Sequence, residues 1–214
     1  MSCVFDLEHY RELLAAAEAG GYRFAHFAEA PAEGTVILRH DVDISLEAAL
    51  RLAELEHEAG VSSTYFLMTE SVFYNLDSSE GGGAIERLRA LGHRLALHAV
   101  YPNAAVVPRF EPLVSWHNPE PSFMQAPVPD GRLNVMEDPW FHPDTYRSDS
   151  NQRWRFGCPQ EDLRTGAFPW LHLLTHAEIW VYPGETMGQT MRAMLEAERA
   201  RRLRQLADDR IDLS

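Results

Sequence analysis

The stretch Thr35-Val36-Ile37-Leu38-Arg39-His40-Asp41-Val42-Asp43 constrains this chain more than any other: an apolar run of strand character that ends in charge. Strand side chains alternate between faces, so Arg39, Asp41 and Asp43 share one face if the strand runs to its end. The two carboxylates then stand roughly 7 Å apart at their Cα atoms. At that spacing one can hold a metal while the other addresses a water on it. Two aspartates at a strand end repel each other unless a cation or an arginine offsets them. The same residues also fit a solvated turn in which Ser45 caps the next helix.

Around this strand, helical and extended periods alternate. Residues 6–19 place Leu7, Tyr10, Leu13, Leu14 and Ala17 at helical spacing, and Gly20-Gly21 ends that helix. The pattern predicts a strand over 35–40, a helix over 45–59 stopped by Gly60, and a buried-type strand over 63–68. Gly81, Gly82 and Gly83 read as a flexible break before a helix over 84–91. Further strands are expected at 94–98, Leu113–Trp116 and Trp170–Thr175, and around Thr145-Tyr146-Arg147. Most of the prolines fall between 102 and 143, which argues for long shaped loops there. A last helix over about 185–207 turns Met187, Met191, Met194 and Leu195 inward, and five arginines from Arg192 to Arg204 read as solvated partners of neighbouring acids. Such alternation makes βαβ units and a parallel sheet, open or closed into a barrel. With no internal repeat, the expectation is one domain over 1–214.

Composition narrows the function. The 214 residues are 45% apolar, enough for a full core. With 19 basic against 32 acidic residues the net charge is −13, which repels phosphate backbones and anionic lipid. Neither nucleic acid nor a membrane is an expected partner. No apolar run approaches the roughly 18 residues of a membrane span. The first residues also lack a basic segment followed by an apolar one. Cys3 and Cys158 make no disulfide framework, and cytoplasm is the expected location.

Ligands of parallel α/β folds gather at the carboxyl ends of strands. Four such ends here carry metal-type or acid–base side chains: Asp41 and Asp43, His98, His117 and His176. Arg39-His40-Asp41-Val42-Asp43, Gly92-His93-Arg94-Leu95-Ala96-Leu97-His98, Ser115-Trp116-His117-Asn118-Pro119, Ser148-Asp149-Ser150 with Arg153-Trp154, and Leu174-Thr175-His176 follow one another in a familiar order. Across about residues 7–182 the chain resembles the polysaccharide deacetylase family (NodB homology, carbohydrate esterase family four).

That resemblance implies a distorted, incomplete (β/α) barrel and metal-dependent removal of an acyl group from an amino sugar. On the matching positions it makes Asp41 the catalytic base, Asp43 and His98 metal ligands, and His176 the general acid. The family's second histidine, four residues after His98, is replaced by Pro102. His117, from the neighbouring strand end, is the expected substitute. Asp149 is expected to orient His176, and Arg153 to steady a catalytic carboxylate. One carboxylate and two imidazoles suit Zn²⁺, with Co²⁺, Ni²⁺ or Mn²⁺ also compatible. The substrate is expected to be a small N-acylated sugar, an oligosaccharide or a glycoconjugate precursor. The alternatives are a degenerate member that binds carbohydrate without turnover, and a hydrolase of another C–N bond.

Other aromatic and imidazole groups read as structural. His40 has the wrong parity for the site, and His172 lies about 13 Å from His176 along its strand. His9, His26, His57 and His93 read as surface or helix positions. Trp116, Trp154 and Trp180 read as packing. Trp140, Phe141 and His142 fit sugar stacking and a local core equally.

Overall fold

All eight residues of strand β2 (Thr35–Val42) are buried, as expected of a strand covered on both faces. In the computed structural model, which describes residues 3–29, 31–101 and 104–211, β2 is an interior strand that pairs with three others. Around it stand β1 (Arg23–Ala25), β3 (Thr64–Met68), β4 (Arg94–Ala99), β5 (Leu113–Trp116), β6 (Leu133–Asn134), β7 (Tyr146–Ser148) and β8 (Trp170–Thr175). The order is β6-β5-β4-β3-β2-β8-β7, and every pairing is parallel. One edge of β2 is shared: β1 pairs with Thr35 to Ile37, and β3 takes over from Arg39 to Val42.

The chain is thus an α/β protein whose parallel sheet curls into a half-barrel, compatible with an incomplete barrel. Among the described residues, seven α-helices accompany it: α1 (Leu7–Ala19), α2 (Leu46–Glu58), α3 (Ser79–Ala90), α4 (Pro121–Met124), α5 (Gln160–Arg164), α6 (Ala177–Val181) and α7 (Met187–Asp208). Val36, Leu38 and Val42 pack outward on Tyr10 and Leu13 of α1, Leu52 of α2 and Ile179 of α6. Ile37 points inward, where Phe27, Phe66, Ala96, Val135 and Trp140 plug the bottom of the curl. Each large aliphatic or phenyl side chain among them contributes roughly 1.5–3 kcal/mol when fully buried. Beyond this plug a cavity opens at the carboxyl ends of the strands. Among the described residues, no helix is long and apolar enough to cross a membrane.

Several boundaries differ from expectation. β2 runs two residues past 40, because β3 still pairs with Asp41 and Val42. The glycines at 81–83 are no break. They lie in the first turn of α3, whose N-terminus Ser78 caps by accepting from the Gly81 amide at 3.0 Å. Gly81 also lies so close to the backbone of Asn75 and Leu76 that a side chain there would clash. In α7, Met194 is buried while Leu195 is exposed, so the inward face is narrower than its methionines suggest. The proline-rich middle is mostly loop, interrupted by the single turn of α4 and the two-residue β6. Pro102 lies outside the described residues.

Candidate active site

Alternation along β2 delivers Arg39, Asp41 and Asp43 to the open end of the curl, in a cavity of about 300 Å³. Arg39 is 1% exposed and grips Asp41 with two bonds, Nε to Oδ1 at 2.8 Å and Nη2 to Oδ2 at 2.6 Å. Burial disfavours the Asp41 anion, but the guanidinium outweighs it and holds the carboxyl below its usual range. The arginine that offsets the paired aspartates is therefore Arg39. Arg153 lines the same cavity with an exposed side chain, and no ion pair joins it to either aspartate.

Three ligand-type atoms converge just above this pair. Asp43 Oδ1 lies 3.0 Å from His98 Nε2 and 3.1 Å from His117 Nδ1, and the two ring nitrogens are 3.2 Å apart. Four-coordinate zinc with bonds of about 2.0–2.1 Å has ligand-to-ligand edges near 3.3 Å, so this triangle fits. Asp43, His98 and His117 thus form a group that can hold a metal ion. Parallel pairing of β4 with β5 sets His98 opposite Ser115, and His117 follows two residues on.

Hydrogen-bond donors fix much of the chemistry. Ser115 Oγ donates to Asp41 Oδ1 at 3.2 Å, since a carboxylate has nothing to give. Its oxygen therefore accepts from His98 Nδ1 at 2.6 Å. That leaves Nε2 of His98 as the nitrogen that trades a proton for a metal. At His117, Nδ1 faces Asp43 and Nε2 lies 3.2 Å from Asn118 Nδ2. Ligation through Nδ1 needs the proton on Nε2, which the Asn118 carbonyl accepts if the amide is turned over. Burial opposes the Asp43 anion, yet bonds from His117 and His98 hold its carboxyl well below the usual range. The Asp43 bond in turn raises His117.

Across the cavity, β7 and β8 present a second pair. Asp149 is fully buried, and its Oδ1 lies 2.6 Å from Nδ1 of His176. Its Oδ2 accepts from the His176 amide at 3.0 Å and from Trp180 Nε1 at 2.7 Å. Desolvation alone would lower His176, but the Asp149 carboxylate prevails and raises it to about 10. The aspartate thus holds the amide of His176, the residue just before α6, and keeps its imidazole cationic. Burial pushes the neighbouring Glu178 carboxyl up to about 7.

The rival residues lie elsewhere. His172 is enclosed with Nδ1 2.9 Å from the Trp140 carbonyl, and burial lowers it to about 3. His40 points out of the site into a buried network under α2. His93 is no surface residue: it is buried in that same network. Trp154 and Trp140 are buried packing groups; Trp116, though buried, lines the cavity together with Phe141 and His142. Two participants escaped the sequence reading, Ser115 and Trp180. Ser115 shares strand parity with His117, and Trp180 follows His176 by one helical turn, so both carried a usable signal. No known family model, curated protein or solved structure matches the chain.

Proposed function

We propose that this protein is a metal-dependent hydrolase of the polysaccharide deacetylase (NodB-homology) type, removing an acetyl or related acyl group from an amino sugar or small glycoconjugate precursor. One observation carries the reading. A metal-type triangle with an adjacent carboxylate (Asp41) faces a carboxylate-held imidazolium across one cavity. Amide hydrolysis needs those two halves: a base beside the attacking water and an acid beside the departing nitrogen.

Asp43, His98 and His117 would hold the ion, with zinc best suited to the donors and Co²⁺, Ni²⁺ or Mn²⁺ also compatible. When bound, such an ion polarises the acyl carbonyl and acidifies a water beside it. Asp41 receives the proton that this water gives up. The grip of Arg39 fixes the position of Asp41 and weakens it as a base, so it serves an acidified water and not a bulk one. His176, held cationic by Asp149, gives its proton to the leaving nitrogen. Phe141, Tyr146 and Phe156 line the approach and offer apolar ring faces to a sugar. A cavity of about 300 Å³ is at the lower end for small-ligand pockets, which favours a short substrate over a polymer.

The test is acetate release from a panel of N-acetylated mono- and oligosaccharides by zinc-loaded protein. Release that stops on chelation and in Asp43→Ala is expected. Sugar binding without release across the panel would make the protein a carbohydrate binder instead.

A further inference from the structure

We propose that Cys3, His9 and Cys158 form a second metal site, one that takes a thiophilic divalent ion such as Zn²⁺ and staples the start of the chain to the loop before α5. The three ligand atoms lie within 4.8 Å of one another, and none of the three residues lines the candidate active site. His9 Nε2 is 3.3 Å from Cys158 Sγ, close to the roughly 3.6 Å edge between nitrogen and sulfur in tetrahedral zinc.

The surroundings resemble those of a built site. The other ring nitrogen of His9, Nδ1, lies 2.9 Å from Glu12 Oε2, the kind of carboxylate that fixes the ring and leaves Nε2 free to ligate. Gln160 Nε2 holds that same carboxylate oxygen at 3.1 Å. Trp154 Nε1 donates to Cys3 Sγ at 3.2 Å, as indole and amide donors do to metal thiolates. Two sulfurs and one imidazole select zinc-like ions over the magnesium class. Both cysteines are half-buried, so solvent can reach the fourth tetrahedral position.

The ion would join three segments distant in sequence: the residues before α1, the first turn of α1, and the loop that leads into α5. Such closure stabilises a fold by restricting the unfolded chain, and metal release loosens it. The staple also has a mechanical neighbour. Phe5, two residues after Cys3, packs against Trp154 and Trp180, with ring centroids 6.1 and 5.1 Å away. Trp180 is the indole that bonds Asp149. The site therefore backs the acid pair without touching the substrate cavity.

Cobalt titration of the reduced full-length chain tests this, because Co²⁺ bound by thiolate gives a near-ultraviolet charge-transfer band that oxygen and nitrogen ligands do not. Two equivalents are expected in the wild type. Asp43→Ala should keep one equivalent and the band; Cys158→Ser should keep one equivalent and lose it. Cys3→Ser, outside any helix or strand, repeats the loss if Cys158→Ser folds poorly. A wild type without the band overturns the proposal. So does protein isolated two hydrogens lighter with Cys3 and Cys158 joined, since a disulfide leaves no thiolates to ligate. Failure of the Asp43 site alone would appear as one lost equivalent with the band intact.

Discussion

Two buried clusters of histidine and carboxylate sit back to back on β2, supplied by neighbouring residues of opposite parity. On the concave face, Arg39, Asp41 and Asp43 meet His98 and His117. On the convex face, His40 lies 2.7 Å from Glu56 Oε1 of α2, and its Nδ1 lies 2.8 Å from Thr175 Oγ1. Glu56 also accepts from Tyr10 at 2.5 Å, Ser63 at 2.7 Å and Tyr65 at 3.1 Å. By composition the two clusters look alike. Their closure differs. Around Glu56, three hydroxyls donate to one carboxylate with an imidazole beside it, all buried. Around Asp43, two imidazoles and a carboxylate point at a common spot beside an open cavity. A buried charged cluster becomes a candidate site when its ligand atoms converge on space that a ligand can enter; otherwise it is a polar joint between helix and sheet.

The comparison breaks first at Asp43. Asp43→Ala should abolish both metal binding at this site and turnover, whereas Asp41→Asn should retain the metal and lose turnover. Equal metal loss in the two variants would merge their roles. Metal content per folded chain, with acetate release, measures both.

Next in size is His176. His176→Ala should lower kcat/KM by roughly 10²–10⁴-fold if the ring is the general acid. An acid must carry its proton, so activity falls as pH rises through the pKa of His176, about 10 in the metal-free protein. A bound cation would lower that value. Asp149→Asn removes the main force that raises it, so the alkaline limb must move to lower pH. The linked stability has the same sign: it is complete below about 6.5, the unperturbed value, and is lost as pH rises through about 10. An NMR titration of His176 that is identical in both proteins would rule the pairing out.

The convex cluster should answer differently. Glu56→Ala strands His40 and three hydroxyls in a dry interior and should cost about 3–5 kcal/mol of stability. Metal bound per folded chain should be unchanged. Denaturant unfolding with metal analysis checks this, and a loss of metal in folded Glu56→Ala would show that the two faces are coupled through β2.

How much of this was legible in the sequence follows from what is local. The parity of β2 put Arg39, Asp41 and Asp43 on one face, and the strand-end histidines followed from the same rule. Gly60 and Ser45 marked the limits of α2, and Ser45 accepts from the Ala48 amide at 3.1 Å as its cap. What stayed hidden depends on pairing between distant segments. β2 extends past residue 40 because β3 reaches its end, and no local pattern reports that. Glu56 is one acid among several on α2; only the fold reveals that it is the buried one. The glycines at 81–83 read as a break by propensity, yet all three are helical, and only at Gly81 does close approach to residues 75 and 76 exclude a side chain. Arg153 was the expected partner of a catalytic carboxylate, yet strand parity already set Arg39 beside Asp41, and Arg39 is the residue that grips it.

The smallest expected effect sharpens the contrast most, because it concerns a residue that belongs to neither cluster by charge. Ser115 donates a hydrogen bond to Asp41 and accepts one from His98 Nδ1, so it sets which nitrogen of His98 faces Asp43. Ser115→Ala removes that instruction without removing a ligand. The imidazole can then turn, or carry its proton on the wrong nitrogen, and loss of such an outer partner weakens metal affinity by about 10–100-fold. A merely structural serine would behave otherwise. Its loss would lower stability by about 1 kcal/mol and leave affinity alone. Zinc competition titrations on the folded variant, with unfolding measured in parallel, separate the two. Unchanged affinity with reduced stability would make Ser115 a polar joint like those around Glu56, and the boundary between the two faces of β2 would then be drawn by the charged residues alone.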